Sequence, residues 1–437
     1  MSAFTRTLAT WKRLFSQAGF PSYFAGMFVS LFGTGLNFAG VTLYVLARTG
    51  STVQVSLSVI LLTLPRLIVP LFGGVLTDRV DRRYLGITLD LLRALVVFGA
   101  AALAFSGRLQ LWQLYLMVLL LGAGFAVYWS TSLALLQEII PPRHLIGANA
   151  AVLVAVQGGL LAAGAVVGYI YDRAGLASIL AIDGATYVCS ALCFYHLRKG
   201  RALPSAISAP PPVEAEVAER AILAIETSEP STAVLADITE GLRYLRAQPT
   251  VLALGLTYAV MMAGVISANV IVVALAHDLL HAGARGYGFL QAGWALGAVA
   301  GGLAALSLPK EQPRRILIAA LVVLAFGHAL FPYAGFLVVA VAMNVVFGAC
   351  RAVGAVLTQS SILQLVPKHL MGRTQSAFSL IATLLQILVS FVLGWLAEHT
   401  SLEVAFALLG MLYAGAVLAA GRTRDVPPTR TKPLAAN

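Results

Sequence analysis

The chain has 437 residues, of which 59% are hydrophobic and only 11% are charged. Soluble domains carry about 25% charged residues, so a water-soluble enzyme is close to excluded, and the dominance of apolar side chains excludes disorder over most of the length. The composition fits a polytopic integral membrane protein. The formal net charge of +11 then fits cationic loops on one side of a membrane better than a nucleic-acid partner.

Long apolar runs recur along the whole chain, and each reaches the ~20 residues needed to cross the hydrocarbon core. They predict twelve transmembrane spans, at 22–46, 54–76, 84–106, 111–135, 147–170, 178–197, 250–275, 287–307, 316–333, 336–360, 373–396 and 402–421. Backbone groups in lipid must pair internally, so continuous runs of this kind form helices rather than the short alternating strands of a barrel. We therefore expect an all-α membrane protein.

The distribution of Lys and Arg predicts the orientation. With the amino terminus in the cytoplasm, most of the 29 Lys and Arg residues lie in cytoplasmic segments. Only four lie in segments on the opposite side, namely Arg48, Arg108, Arg173 and Arg285. We expect both termini to be cytoplasmic, which requires an even number of spans, and we place the protein in the bacterial cytoplasmic (inner) membrane.

The longest polar stretch, 198–249, divides the chain in two. It is rich in Pro and then in Glu, which is typical of a linker, and it ends in a short amphipathic helix. The apolar face of that helix is formed by Leu235, Ile238, Leu242 and Leu245. The linker separates an amino-terminal six-helix bundle (1–197) from a carboxyl-terminal six-helix bundle with a cytoplasmic tail (250–437).

The two halves share a short motif. Residues 142–147 read PRHLIG before span five, and residues 367–372 read PKHLMG before span eleven. The two loops occupy equivalent places if each half is a six-helix repeat. Parallel repeats around an axis along the membrane normal are a design found in transporters.

The loop between spans two and three carries a family signature. Residues 73–83 read GGVLTDRVDRR, and the positions that fit the signature are Gly74, Asp78, Arg79, Arg82 and Arg83. The loop resembles that of the major facilitator superfamily, although Asp81 replaces the usual second glycine. The resemblance implies the major facilitator fold, with twelve transmembrane helices arranged as two six-helix repeats, and transport of a solute by alternating access.

Asp78 predicts a latch between the halves. A carboxylate at the cytoplasmic edge is stabilised by a helix amino terminus, and span eleven offers both such an end and the cation of Arg373. An Asp78–Arg373 contact would hold the halves together while the outer side is open. The alternative is that the basic residues of the loop only fix the topology.

Five short segments resemble a narrower branch, the bacterial exporters that include macrolide and enterobactin efflux proteins. They are Leu64-Pro65, Asp90-Leu91-Leu92-Arg93, Asn149-Ala150, Asp183-Gly184-Ala185-Thr186 and Gly372-Arg373. This resemblance implies export. Span five has glycines but lacks the following proline of proton-coupled drug antiporters, and span four lacks their arginine.

Charges inside spans cost several kcal/mol unless they are paired or functional. Asp90 has two candidate partners by depth, Arg66 in span two and Arg93 one turn further along its own helix. Asp183 in span six either carries a proton or pairs with a neighbouring helix, and Asp90 is the second proton-coupling candidate. Arg351 in span ten has no acid in its own helix, so it either binds an anionic group or forms a pair with another span.

In the resembled superfamily, spans one, four, seven and ten line the substrate cavity. The resemblance therefore places a set of polar and aromatic side chains on the cavity wall. They are Asn37, Tyr44, Tyr128, Trp129, Thr131, Tyr258, Asn269, Asn344 and Arg351. Aromatic rings with scattered amides favour a bulky amphipathic solute over a sugar.

The chain shows no phosphate-binding loop, metal-ligand spacing or catalytic motif, so we expect no enzyme activity, cofactor or metal. We expect a monomeric secondary transporter that exports a small amphipathic compound, such as a drug or siderophore, with the proton as coupling ion. Two alternatives stay open: a lipid or lysolipid flippase, and a non-transporting membrane receptor or scaffold with the same fold.

Overall fold

The computed structural model describes residues 11–17, 19–69, 80–141, 144–197, 230–305, 308, 312–367 and 370–423. The described residues form helices and no strand. The helices of the amino-terminal half are α1 (Phe20–Thr49), α2 (Thr52–Thr63), α3 (Arg82–Phe105), α4 (Leu111–Ile139) and one stretch of 51 residues, Leu145–Tyr195.

Gly175 divides that long stretch into two helices. Its φ of 68° and ψ of −173° are not helical, and a positive φ favours glycine because glycine has no Cβ. We name the two parts α5 (145–174) and α6 (176–195). The sequence predicted a loop of several residues between spans five and six, whereas a single glycine makes the break.

The linker helix is α7 (Pro230–Ala247), and the carboxyl-terminal half follows it. Its helices are α8 (Pro249–Ala274), α9 (Gly283–Ala305), α10 (Pro313–Leu330), α11 (Leu337–Leu365), α12 (Met371–His399) and α13 (Leu402–Gly421). These correspond to predicted spans seven to twelve. A π-helical turn, Leu275–Leu279, extends α8.

Eleven described helical stretches are long and apolar enough to span a membrane, and one of them, Gly147–Tyr195, contains both α5 and α6. The prediction of twelve spans in an all-α membrane protein is therefore confirmed. For span two the described helical stretch ends at Val69, and the rest of that span lies outside the described residues.

The two halves pack their helices in the same pattern. In the first half α3 packs against α4 and α6, and α2 packs against α4. In the second half the equivalent helices do the same: α10 packs against α11 and α13, and α9 packs against α11. Two six-helix repeats with a common internal arrangement follow from this pattern.

In each repeat, an arginine at the start of the third helix donates hydrogen bonds to the last carbonyl groups of the sixth helix. Arg83, at the start of α3, donates from Nε to the carbonyl oxygen of Phe194 at 2.9 Å and also to that of Tyr195, at the end of α6. Arg314, at the start of α10, donates to the carbonyl oxygen of Gly421 at the end of α13. Terminal carbonyls of a helix have no partner within the helix, so a cation there stabilises both helix ends.

Candidate functional site

A cavity of about 770 Å³ lies between the two halves. Side chains from α1, α2, α4, α5 and α6 form one wall, and side chains from α8 to α13 form the other. Most of the lining is apolar or aromatic, including Phe38, Phe125, Trp129 and Trp294. A volume of this size accommodates a drug-sized molecule rather than a single ion.

Six of the residues predicted to line the cavity do lie on its wall. They are Asn37, Trp129, Tyr258, Asn269, Asn344 and Arg351. Two of their amides also hold helices together. Asn269 accepts a hydrogen bond from Gln291 Nε2 at 2.8 Å, and Asn344 Nδ2 donates to the carbonyl oxygen of Leu290 at 3.1 Å.

The other three predicted cavity residues, Tyr44, Tyr128 and Thr131, are not among those that line this cavity. Tyr44 lies close to Tyr171, Thr131 is buried with its hydroxyl donating to the carbonyl of Val127 at 2.9 Å, and Tyr128 is buried behind the wall. The reason is rotational. A helix lining a cavity presents one stripe to it, and the other residues of that helix face its neighbours.

Tyr128 belongs to a buried charge cluster of the first half. Asp90 and Arg93 form an ion pair along α3 with almost no exposure, 0% and 3% of their side chains. The guanidinium of Arg93 lies over two rings, 4.1 Å from the centroid of Tyr128 and 4.4 Å from that of Tyr187. The alternative Arg66–Asp90 pair is not formed: Asp90 is paired within α3, and Arg66 lies on the cavity wall.

Asp183 lies in the same interior and reaches the cavity through Asn37. Its Oδ2 accepts a hydrogen bond from Asn37 Nδ2 at 2.7 Å, while Oδ1 has no hydrogen-bond partner in the part of the chain that is described. Gly33 of α1 permits this approach, since any side chain there would collide with Thr186 and Asp183. Arg93 is close enough to interact electrostatically with Asp183.

Two further residues line the cavity that the sequence does not place there. Arg66 is a candidate partner of Asp90 from the sequence, but it lines the cavity with its guanidinium 5.8 Å from the Phe125 ring. His328 also lines the cavity, and its ring stacks between those of Phe347 and Tyr413, at centroid distances of 4.3 and 5.1 Å. Helical phase relative to the cavity was the missing signal in both cases.

The two halves meet along two seams on the side opposite the linker. In the first seam, Glu398 of α12 accepts from the backbone N–H of Val53 at 2.9 Å, and Thr52 Oγ1 donates to the carbonyl of Gly394 at 2.7 Å. The acid of one half therefore caps the amino terminus of α2 in the other.

The second seam joins α5 to α9 through glycines. A Cβ on Gly164 would lie 2.6 Å from the backbone nitrogen of Ala292, and one on Gly288 would lie 2.7 Å from the carbonyl oxygen of Gly164. An ion pair between Asp172 and Arg285, 2.8 Å from Nε to Oδ2, flanks this contact. Gly164 and Gly168 have the four-residue spacing that permits close helix packing, and the helix they contact belongs to the other half.

Comparison with known proteins decides the family. The family model of the Major Facilitator Superfamily matches residues 23–310. The chain belongs to this superfamily. It is 25% identical over 248 residues to the uncharacterized MFS-type transporter YfiS of Bacillus subtilis (strain 168), an alignment covering 56% of this chain and 54% of that protein. The chain thus matches about half the length of this relative.

A solved structure shares the fold over nearly the whole chain. The crystal structure of a POT family transporter in complex with a thioalcohol-conjugated peptide superimposes with a TM-score of 0.66. The match covers 91% of this chain and 94% of that one at 12% identity, which is a likeness of fold alone. The major facilitator fold expected from the sequence is therefore confirmed.

The superfamily's signature loop is only partly described. Gly74, Asp78 and Arg79 lie outside the described residues, and the latch between Asp78 and Arg373 stays a prediction. Arg82 forms an ion pair with Glu138 at the end of α4, 2.6 Å between Nη1 and Oε1, and Arg83 caps α6 as described above. Arg373 forms an ion pair with Glu240 of the linker helix at 2.7 Å.

Proposed function

We propose that this protein is a secondary active transporter that exports a small amphipathic compound by alternating access. One observation carries the proposal: a single cavity is lined by both six-helix repeats and is bounded, on the side opposite the linker, by two seams between them. Opening those seams while the linker side closes would expose the same cavity to the other side of the membrane.

The apolar and aromatic lining supports an amphipathic solute. Rings from both halves, such as Trp129 and Tyr258, offer flat hydrophobic contact area, and a few amides offer hydrogen bonds. We further propose that the linker and both termini face the cytoplasm, as the Lys and Arg distribution indicates, and that the monomer in the inner membrane is the working unit.

Flux in reconstituted vesicles tests this function. Purified protein in proteoliposomes with an imposed pH gradient is presented with a panel of amphipathic compounds, with and without an uncoupler. We expect concentrative movement of at least one compound that the uncoupler abolishes. Movement of labelled lysolipid instead would favour a flippase, and no movement of any solute would favour a receptor or scaffold.

We propose Asp183 as the residue that carries the coupling proton, with Asp90 as a second member of the same network. Asp183 is fully buried, one of its oxygens is unpartnered among the described residues, and its other oxygen is bonded to Asn37 on the cavity wall. A solute that displaces or attracts Asn37 would therefore change the hydrogen bonding of this carboxyl group. The coupling would run through one amide.

The variant Asp183→Asn tests that assignment. Asparagine keeps the shape but cannot exchange a proton, so we expect gradient-driven flux to be lost while solute exchange between loaded vesicles continues. Asp278→Asn is the matched control, because Asp278 is exposed and lies outside the cavity. Full gradient-driven flux in Asp183→Asn would remove Asp183 as the carrier.

A further inference from the structure

The cavity carries positive charge from both halves. Arg66, in the helical stretch that continues α2 to Val69, and Arg351 of α11 both lie on its wall. Among the described residues that line it there is no Asp or Glu. Of the two buried acids of the first half, Asp90 is paired with Arg93, and Asp183 lies behind Asn37 rather than on the wall; among the described residues neither forms an ion pair with Arg66 or Arg351.

Arg351 has poor partners for a buried guanidinium. Its Nη2 lies 3.4 Å from the sulfur of Met262, and its Nε has no hydrogen-bond partner within the described part of the chain. Tyr258 and Tyr413 lie near it and supply rings and hydroxyls but no formal negative charge. A thioether is only a weak acceptor, so most of the donor capacity of this group is unused.

Arg66 is similarly uncompensated. Its guanidinium lies 5.8 Å from the centroid of the Phe125 ring, and no carboxylate of the described residues forms an ion pair with it. A guanidinium over an aromatic face is favourable but leaves its N–H donors available. Within the described part of the chain, each half thus presents to the same space one arginine whose guanidinium has no carboxylate partner.

A cation inside a membrane protein is stabilised by a counter-charge, and a guanidinium binds carboxylate, sulfonate or phosphate groups through paired hydrogen bonds. We propose that the cavity binds amphipathic anions: Arg351 and Arg66 hold the anionic group, and the aromatic wall around Phe125 and Trp129 holds the apolar body. This names the substrate class of the proposed transporter and rests on that function.

The charge also discriminates between solutes of opposite sign. A basic amphipathic amine would meet two arginines and no carboxylate at the wall, so its binding is opposed. An amphipathic acid of the same size would meet complementary charge. The arrangement therefore favours acidic over basic solutes.

Three dansyl compounds of similar size test the proposal. Dansylglycine is an anion, dansylglycinamide is neutral, and dansyl-ethylenediamine carries an amine. Trp129 and Trp294 lie on the cavity wall, so the part of the tryptophan-to-dansyl energy transfer that Trp129→Phe/Trp294→Phe removes reports binding there. Binding is measured with the full chain in lipid nanodiscs, without any gradient. We expect dansylglycine to bind about tenfold more tightly than the amide, and the amine to bind weakest, as one charge-assisted interaction would give.

Arginine variants link the preference to the site. Arg351→Gln and Arg66→Gln should each reduce the preference for dansylglycine over the amide several-fold, whereas Arg351→Lys should retain part of it. Arg108→Gln is the control, because Arg108 is exposed and away from the cavity. Melting temperature and gel filtration confirm that each variant is folded.

Two results would overturn the proposal: tighter binding of the amide or the amine by the unmodified protein, or an unchanged preference in both folded Gln variants. Failure of the transport function gives a different outcome. Charge-selective binding without any flux would refute transport alone, and flux without charge preference would refute the anion assignment alone.

Discussion

Arg93 has three partners at once: a carboxylate on its own helix and two tyrosine rings, one from α4 and one from α6. It pairs with Asp90 and lies between Tyr128 and Tyr187. The guanidinium of Arg93 therefore holds α3, α4 and α6 in a fixed position relative to one another. A buried pair gains little over a hydrophobic replacement, but breaking one side leaves an uncompensated charge.

We expect Arg93→Gln to destabilise the protein by about 3–5 kcal/mol, because the Asp90 carboxylate would be left without its cation. The measurement is the midpoint of thermal unfolding in detergent or nanodiscs. The double variant Asp90→Asn/Arg93→Gln should recover part of the loss, since the charge is then removed as well. If Arg93→Gln unfolds at the same temperature as the unmodified protein, the Asp90–Arg93 pair does not contribute to stability.

At the scale of single residues, the sequence indicates which side chains pair within one helix, but not which neighbouring helix or cavity each side chain faces. Spacing alone indicated that Asp90 and Arg93 share a face, and the ion pair forms as that alternative predicted. Tyr128 and Trp129 are neighbours in sequence, yet one packs on Arg93 and the other lines the cavity. One residue is 100° of helix rotation, and a sequence without the packed neighbours does not give the rotation of α4 about its axis.

At the scale of helices, the seam between α5 and α9 depends on the absence of side chains. Backbone atoms of the two helices approach where Gly164, Gly168 and Gly288 lie. Small residues permit such approach in membranes, where packing rather than the hydrophobic effect holds helices together. The GxxxG spacing in span five was visible in the sequence. Its partner was not, because contact between distant helices is a property of the folded chain.

We expect Gly164→Leu to weaken this seam and to expose the cavity from the side opposite the linker. The readout is Thr42→Cys, a cavity-lining position, in a variant without Cys189, Cys193 and Cys350. A membrane-impermeant maleimide added from that side should label Thr42→Cys several-fold faster when Gly164 is replaced.

Gly99→Leu is the matched control for this experiment, because Gly99 is a helical glycine of α3 with open space around its Cβ position. It should leave labelling unchanged. Equal labelling rates with Gly164 and with Leu at that position would mean that the α5–α9 contact does not close the cavity on this side.

At the scale of the whole molecule, the number and order of the transmembrane helices could be predicted from the sequence. Hydropathy gave every span, because each helix must satisfy its backbone in lipid regardless of its neighbours. The cavity needed the structure, since its wall is assembled from both halves and its charges, Arg66 and Arg351, come from helices in different repeats. Alternating access also requires the two repeats to separate along their seams.

A cross-link across the α5–α9 seam tests whether the two repeats must separate there for transport. Asp172 of α5 and Arg285 of α9 form an ion pair between the halves, so a short bis-maleimide should join the double variant Asp172→Cys/Arg285→Cys. We expect cross-linking to abolish flux while solute binding from the linker side is retained. Gln54→Cys/Tyr115→Cys is the control pair, because these residues are hydrogen-bonded at 2.7 Å within the first half. Flux that survives in fully cross-linked Asp172→Cys/Arg285→Cys protein would show that the halves do not separate there, and rocking of two six-helix repeats would not be how a solute crosses.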